Sequence, residues 1–207
     1  GAHHGLEHLT SAFIMHFLEE YSESIATNSD FFHINALTLF SKVSLYAVPM
    51  VNPDGVDIAI HGMDITNPYH RKLISMVGIH SFNKVWQANA NGVDINHNFD
   101  AGWKELRELE RKSGIYGPSP TRYGGPRPES EPETLALTEL CRKVKIRHTV
   151  ALHSQGEVIY WDYNGYGDKK SKRMAEIMAA TSGYALDVPV SLATGGGFKD
   201  WFISEYL

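Results

Sequence analysis

An α/β domain with a mixed, mostly parallel sheet flanked by helices is the fold class that the sequence predicts, from three observations. Apolar residues recur at helical spacing over several runs, beginning with Leu9, Phe13, Phe17 and Leu18. Short strand-like runs sit among those helices, the order expected of strands joined by helical crossovers. Over 207 residues the chain is 43 % apolar and 21 % charged, enough for one domain with a sizeable core.

The elements follow in order. Gly1-Ala2 reads as the tail of a strand, and residues 7–24 as an amphipathic helix. KVSLYAVPM (42–50) alternates and then runs apolar like a strand, ending at the turn signal NPDG. PYHRKLISMV is a short helix, and GVDIN (92–96) a short buried strand. A Gly-, Pro- and Ser-rich stretch over 113–130 reads as a loop beside a site. The helix from Glu131 to Lys145 has a marked start, with Ser130 as cap, Pro132 in the first turn and Glu133 completing a capping box. RHTVALHS and EVIYWDY are two further strands. GDKKSKRMAEIMAATSG is a helix ended by Gly183, and KDWFISEY begins another. The two ends read as those of a fragment: no Met opens the chain, and Leu207 falls inside the last helix.

Composition narrows the function. The net charge of −5, with both signs scattered, gives no basis for a nucleic-acid or membrane surface. No apolar run approaches the roughly 20 residues that span a bilayer. The single cysteine, Cys141, excludes an intramolecular disulfide and any Cys-rich zinc site, so a metal would rest on His and carboxylate.

His3, His4, Glu7 and His8 crowd the first eight residues, just before an apolar helix. His4 and Glu7 form an H-x-x-E pair, whose i, i+3 spacing on a helical turn sends both side chains to one side. Two His and one Glu make a known catalytic zinc set. His153 is the best third ligand, because it ends the apolar strand VALHS, where sites of α/β sheets open. His97 and His148 compete for that place, and His8 competes locally.

Five motifs then follow in a telling order: His4-Gly-Leu-Glu7, Asn52-Pro-Asp-Gly55, Gly92-Val-Asp-Ile-Asn96, Ser130-Glu-Pro-Glu133 and Leu152-His153. In this order and spacing the chain resembles the zinc carboxypeptidase family, the M14 metallopeptidases, over nearly its whole length. The resemblance implies Zn2+ held by His4, Glu7 and His153, a small peptide substrate, and one zinc peptidase domain over 1–207 that lacks its first strands and its last. LHSQGEVIYW and GGGFKDWF look closest to bacterial members that cleave γ-D-glutamyl–diaminopimelate bonds in cell-wall peptides, in a cytoplasmic or exported protein. In the family, zinc polarises the scissile carbonyl and acidifies a bound water. A glutamate moves the proton, a cation stabilises the oxyanion, and an Asn-Arg pair clamps a terminal carboxylate.

Three departures qualify what the resemblance implies. The general-base glutamate belongs to a strand after the KDWF helix, beyond Leu207; Glu205, the nearest carboxylate, lies within that helix. Gln87 stands at the place of the oxyanion-stabilising Arg, with Lys84 and Arg71 as nearby cations. Asn96 of the clamp is kept, but His97 replaces its Arg and offers no bidentate fork. These departures keep two alternatives open, a zinc deacylase of the same broad fold and a catalytically inactive zinc or peptide-binding domain.

Overall fold

The structure, a computed structural model, describes residues 1–187 and 191–206. It is a mixed α/β arrangement rich in helix. A 3-10 turn over Gly5–Glu7 leads into α1 (Leu9–Ala26). Then come β1 (Asp30–Phe31), β2 (Ile34–Asn35), α2 (Ala36–Lys42), α3 (Pro53–His61), α4 (His70–Val77) and α5 (Phe82–Val85). A second 3-10 turn, Ile95–His97, precedes α6 (Trp103–Lys112) and α7 (Pro132–Val144). β3 (Val158–Tyr160), α8 (Lys169–Ser182), β4 (Ala185–Asp187), a 3-10 turn at Ser191–Ala193 and α9 (Phe198–Tyr206) complete the described chain.

The mostly parallel sheet is not formed among the described residues. Their strands make two two-stranded sheets. β1 and β2 are an antiparallel hairpin, whereas β3 and β4 are parallel, pairing Val158 with Ala185 and Tyr160 with Asp187. With α8 between them, β3 and β4 are one crossover unit. The expected strands at 42–50 and 147–154 run without a sheet ladder. Instead Val48 accepts a hydrogen bond from the Gly1 amine at 2.8 Å, and the Val51 and Asn52 N–H groups donate to the Gly1 and Ala2 carbonyls. The opening residues are thereby pinned beside Val51.

Three start signals resolve differently from expectation, each through side-chain hydrogen bonding. NPDG opens α3 rather than a turn: the Asn52 carboxamide accepts from Gly55 N–H at 2.9 Å and Pro53 takes the first helical place. GVDIN is not a strand, because the Asp94 carboxylate accepts from Asn96 N–H and draws the chain into the 3-10 turn. Ser130 does not cap α7. Its cap residue is Glu131, and the Ser130 hydroxyl bonds the Glu131 carboxylate instead. Gly183 ends α8 in the left-handed conformation as expected.

Two apolar clusters carry the packing. Ile95, Phe99, Leu137, Phe198, Trp201 and Phe202 belong to one, joining the 94–101 segment to α7 and α9. Ile58, Leu73, Val77, Phe82 and Trp86 belong to the other, joining α3, α4 and α5. The opening 3-10 turn meets α3 at two glycines. A Cβ on Gly5 would lie 2.8 Å from the Trp86 carbonyl oxygen, and one on Gly55 would overlap the Ala88 carbonyl. Only glycine permits that backbone approach. No described helix is long and apolar enough to cross a membrane.

Candidate metal centre

His4 and Glu7 stand at the two ends of one short turn whose position is fixed from both sides. Gly5 N–H donates to the Gln87 carbonyl, while the buried Thr10 hydroxyl accepts from Ala2 N–H at 2.7 Å and donates to the Glu7 carbonyl at 2.8 Å. The turn is 3-10 rather than α, and at i, i+3 its side chains eclipse, bringing the pair together.

His153 arrives from far along the chain. Its Nδ1 lies 2.7 Å from Glu7 Oε2, and His4 Nδ1 lies 3.2 Å from the same oxygen. One ligand atom from each of the three residues falls within 4.8 Å of the others. His4 is oriented from behind, where its Nε2 lies 3.2 Å from Asp94 Oδ1. A carboxylate behind an imidazole fixes the ring and its tautomer, the arrangement typical of metal-bound histidine.

The electrostatics suit a cation. Burial opposes charge on His4, but Asp94 and Glu7 outweigh it and push its pKa up to about 10. Burial likewise opposes charge on Glu7, yet the His153 and His4 rings beside it bring its pKa down to about 2. Asp94 is held below the usual carboxylate range despite burial, chiefly by His4 and His97. Two buried carboxylates thus demand positive charge between them. His4 Nδ1 is buried and makes no hydrogen bond, although it faces Glu7. An N2O donor set with an orphaned nitrogen turned into it fits zinc.

The zinc carboxypeptidase family model matches residues 1–202. The chain belongs to that family. Relatives by sequence include γ-D-glutamyl-L-diamino acid endopeptidase 1 of Lysinibacillus sphaericus, 35 % identical over 98 % of this chain and 50 % of its own length. YqgT of Bacillus subtilis is 34 % identical over 98 % of this chain and 53 % of its own. Murein peptide amidase A of Escherichia coli K12 is 32 % identical over 56 % of this chain and 46 % of its own. The chain spans about half the length of the curated relatives it matches. No solved structure matches it.

The remaining candidates fall into place around the three residues. His3 is buried with neither ring nitrogen bonded, and it stacks on His153 at 5.7 Å and 23°. Burial lowers its pKa well below 6.5. His8 and His148 are exposed and outside the cluster. Asn96 Oδ1 accepts from Phe198 N–H, tying the 3-10 turn to the start of α9. His97 turns away to Glu110, with Nδ1 2.9 Å from Oε1. Glu110 is fully buried and paired with Arg107, whose guanidinium lies over the Tyr123 ring. Burial prevails at His97 over the opposing charge of Asp94 and lowers its pKa. The Gln87 carbonyl accepts from Gly5 N–H and its own N–H donates to the Pro120 carbonyl, while its side-chain oxygen is buried without a partner. Arg71 and Lys84 are exposed on α4 and α5. Glu205 pairs with Arg142 on the outside of α9.

The loop over 113–130 does lie beside the site, fastened by side chains of the 94–110 segment. Asp94 Oδ2 accepts from Arg122 N–H at 2.8 Å. Glu110 Oε2 accepts from Gly124 N–H, and the buried Asn98 carboxamide bonds the Gly124 and Arg127 carbonyls. Sequence reasoning missed Asp94, Glu110 and Asn98 as organisers. Asp94 alone had a readable signal, an Asp two residues before Asn96 in turn-forming context.

Proposed function

We propose that the protein is a zinc-dependent metallopeptidase that hydrolyses a peptide or isopeptide bond in small, peptidoglycan-derived peptides. The convergence of His4, Glu7 and His153, with Asp94 behind His4, carries this conclusion. In it these three residues hold the zinc. When bound, zinc polarises the scissile carbonyl and acidifies water near neutral pH. Glu7 remains ionised as a ligand, and Asp94 keeps the His4 ring turned toward it. Gln87 stands at the oxyanion position, where it offers a neutral N–H donor in place of a cation, which is the weaker stabilisation. Asn96 and His97 border the substrate. The proton-transferring glutamate belongs to a segment following α9.

The names of two relatives support the substrate class, one a γ-D-glutamyl-L-diamino acid endopeptidase and the other a murein peptide amidase. A γ-D-glutamyl–diaminopimelate peptide is therefore the substrate to try. Zinc-loaded residues 1–207 are compared with a longer chain carrying the segment that follows. Cleavage by the longer chain alone supports the reading and locates the base after α9. Zinc bound by both with cleavage by neither turns the assignment to a peptide-binding domain.

A further inference from the structure

We propose that Arg122 is a substrate-binding residue of this site, taking a carboxylate on the residue that carries the scissile carbonyl. The proposal rests on the peptidase reading above. A γ-linked glutamyl residue leaves its α-carboxylate free, and that group is the carboxylate meant.

Arg122 is held against the site by its backbone and left free at its side chain. Its N–H donates to Asp94 Oδ2 at 2.8 Å, and the other oxygen of Asp94 faces His4 Nε2 at 3.2 Å. The next residue, Tyr123, accepts from Asp94 N–H at 2.8 Å. One carboxylate therefore links the candidate metal ligand to the backbone of Arg122. The Arg122 side chain is exposed, and no hydrogen bond or ion pair holds its guanidinium among the described residues. Arg122 also stands close to His97, where its charge disfavours the protonated ring and its backbone favours it.

The neighbouring cations are spent. Arg107 is paired with Glu110 and covered by Tyr123. Lys199 donates to the Asp162 carbonyl at 2.7 Å and pairs with Asp200. Arg127 is folded back on the carbonyls of Pro128 and Glu129. His97, at the place where the family resemblance leads one to expect a clamping Arg, is engaged with Glu110. A substrate carboxylate entering beside Glu7 and Asp94 meets repulsion unless a cation receives it. A free guanidinium at the lip supplies that cation with the planar fork that matches a carboxylate.

The test uses the zinc-loaded longer chain, which carries the segment that follows α9, and two peptides, a γ-D-glutamyl–meso-diaminopimelate peptide and its counterpart with the glutamyl α-carboxylate converted to carboxamide. Wild type should favour the carboxylate peptide by about tenfold or more, the usual scale of a charged hydrogen bond. Arg122→Gln should lose that preference through a raised KM, with kcat, zinc content and melting temperature unchanged. Arg122→Lys should restore part of it. If neither peptide is cleaved, the peptidase reading fails, and dissociation constants for the same peptides by calorimetry decide the role of Arg122. Equal affinity of wild type for the two peptides, no binding of either, or a preference that survives Arg122→Gln overturns the proposal.

Discussion

Glu7 Oε2 lies 2.7 Å from His153 Nδ1, a contact spanning 146 residues of chain. It closes a site whose other half is local, since His4 and Glu7 belong to one turn. With a single long-range closure, removing His153 should abolish the site without unfolding the turn. His153→Ala is expected to lower bound zinc from about one per chain to none in equilibrium dialysis. Zinc at a hundredfold its Kd should stabilise wild type by about 2.7 kcal/mol and leave the variant unmoved. A variant that still gains stability from zinc would show that another residue completes the set.

Asp94 touches the candidate metal residues only through His4, but it does three jobs at once. It faces His4 Nε2, caps the Ile95–His97 turn and holds Arg122 N–H. Asp94→Asn keeps an acceptor for the backbone and removes the charge behind His4. Zinc affinity should then fall about 10–100-fold, the usual effect of losing such an orienting carboxylate. Competition against a chromophoric chelator measures it, and an unchanged affinity would rule out the orienting role.

The opening turn sits where it does because two glycines let it touch α3. A methyl at Gly55 would overlap the Ala88 carbonyl and the Asn52 carboxamide that caps the helix. Gly55→Ala should cost about 1–3 kcal/mol in urea unfolding, the range for overpacking a tight site. Gly117 has open space around it and no positive φ. Gly117→Ala should therefore stay within about 0.5 kcal/mol of wild type. Equal effects at the two positions would contradict the close approach.

How far the sequence could be read depended on whether one side chain dictated the local outcome. His4 and Glu7 were legible because their spacing alone brings them together, and His153 because it ends an apolar run before a polar one. NPDG and GVDIN were misread for a shared reason. Asn52 and Asp94 accept from an N–H two or three residues on, and the same bond serves a turn, a helix cap or a 3-10 turn. The β1–β2 hairpin left no signal, since Phe32 and His33 occupy the positive-φ turn positions usually taken by Gly or Asn. α6 was invisible to apolar periodicity because its buried face includes Arg107 and Glu110 beside Leu106. Those two charges, hidden from any hydrophobic pattern, are what hold His97 and the 122–124 segment in place.

That buried pair gives the sharpest energetic test. Glu110 is fully buried and accepts from three directions: the Arg107 guanidinium, Gly124 N–H and His97 Nδ1. Removing one partner of a buried ion pair strands the other charge, at a cost of about 3–5 kcal/mol, whereas replacing both often costs far less. Arg107→Met should therefore destabilise strongly. Adding Glu110→Gln to it should recover part of the loss, because the amide oxygen can still accept from Gly124 or His97 without carrying charge. A double-mutant cycle in urea reads the coupling directly. Additive losses would mean that Glu110 is not stranded when Arg107 goes, and that water or His97 in its protonated form meets its charge. A rise in the His97 pKa measured by NMR in Arg107→Met would identify His97 as the compensating cation, since an unbalanced Glu110 favours the imidazolium.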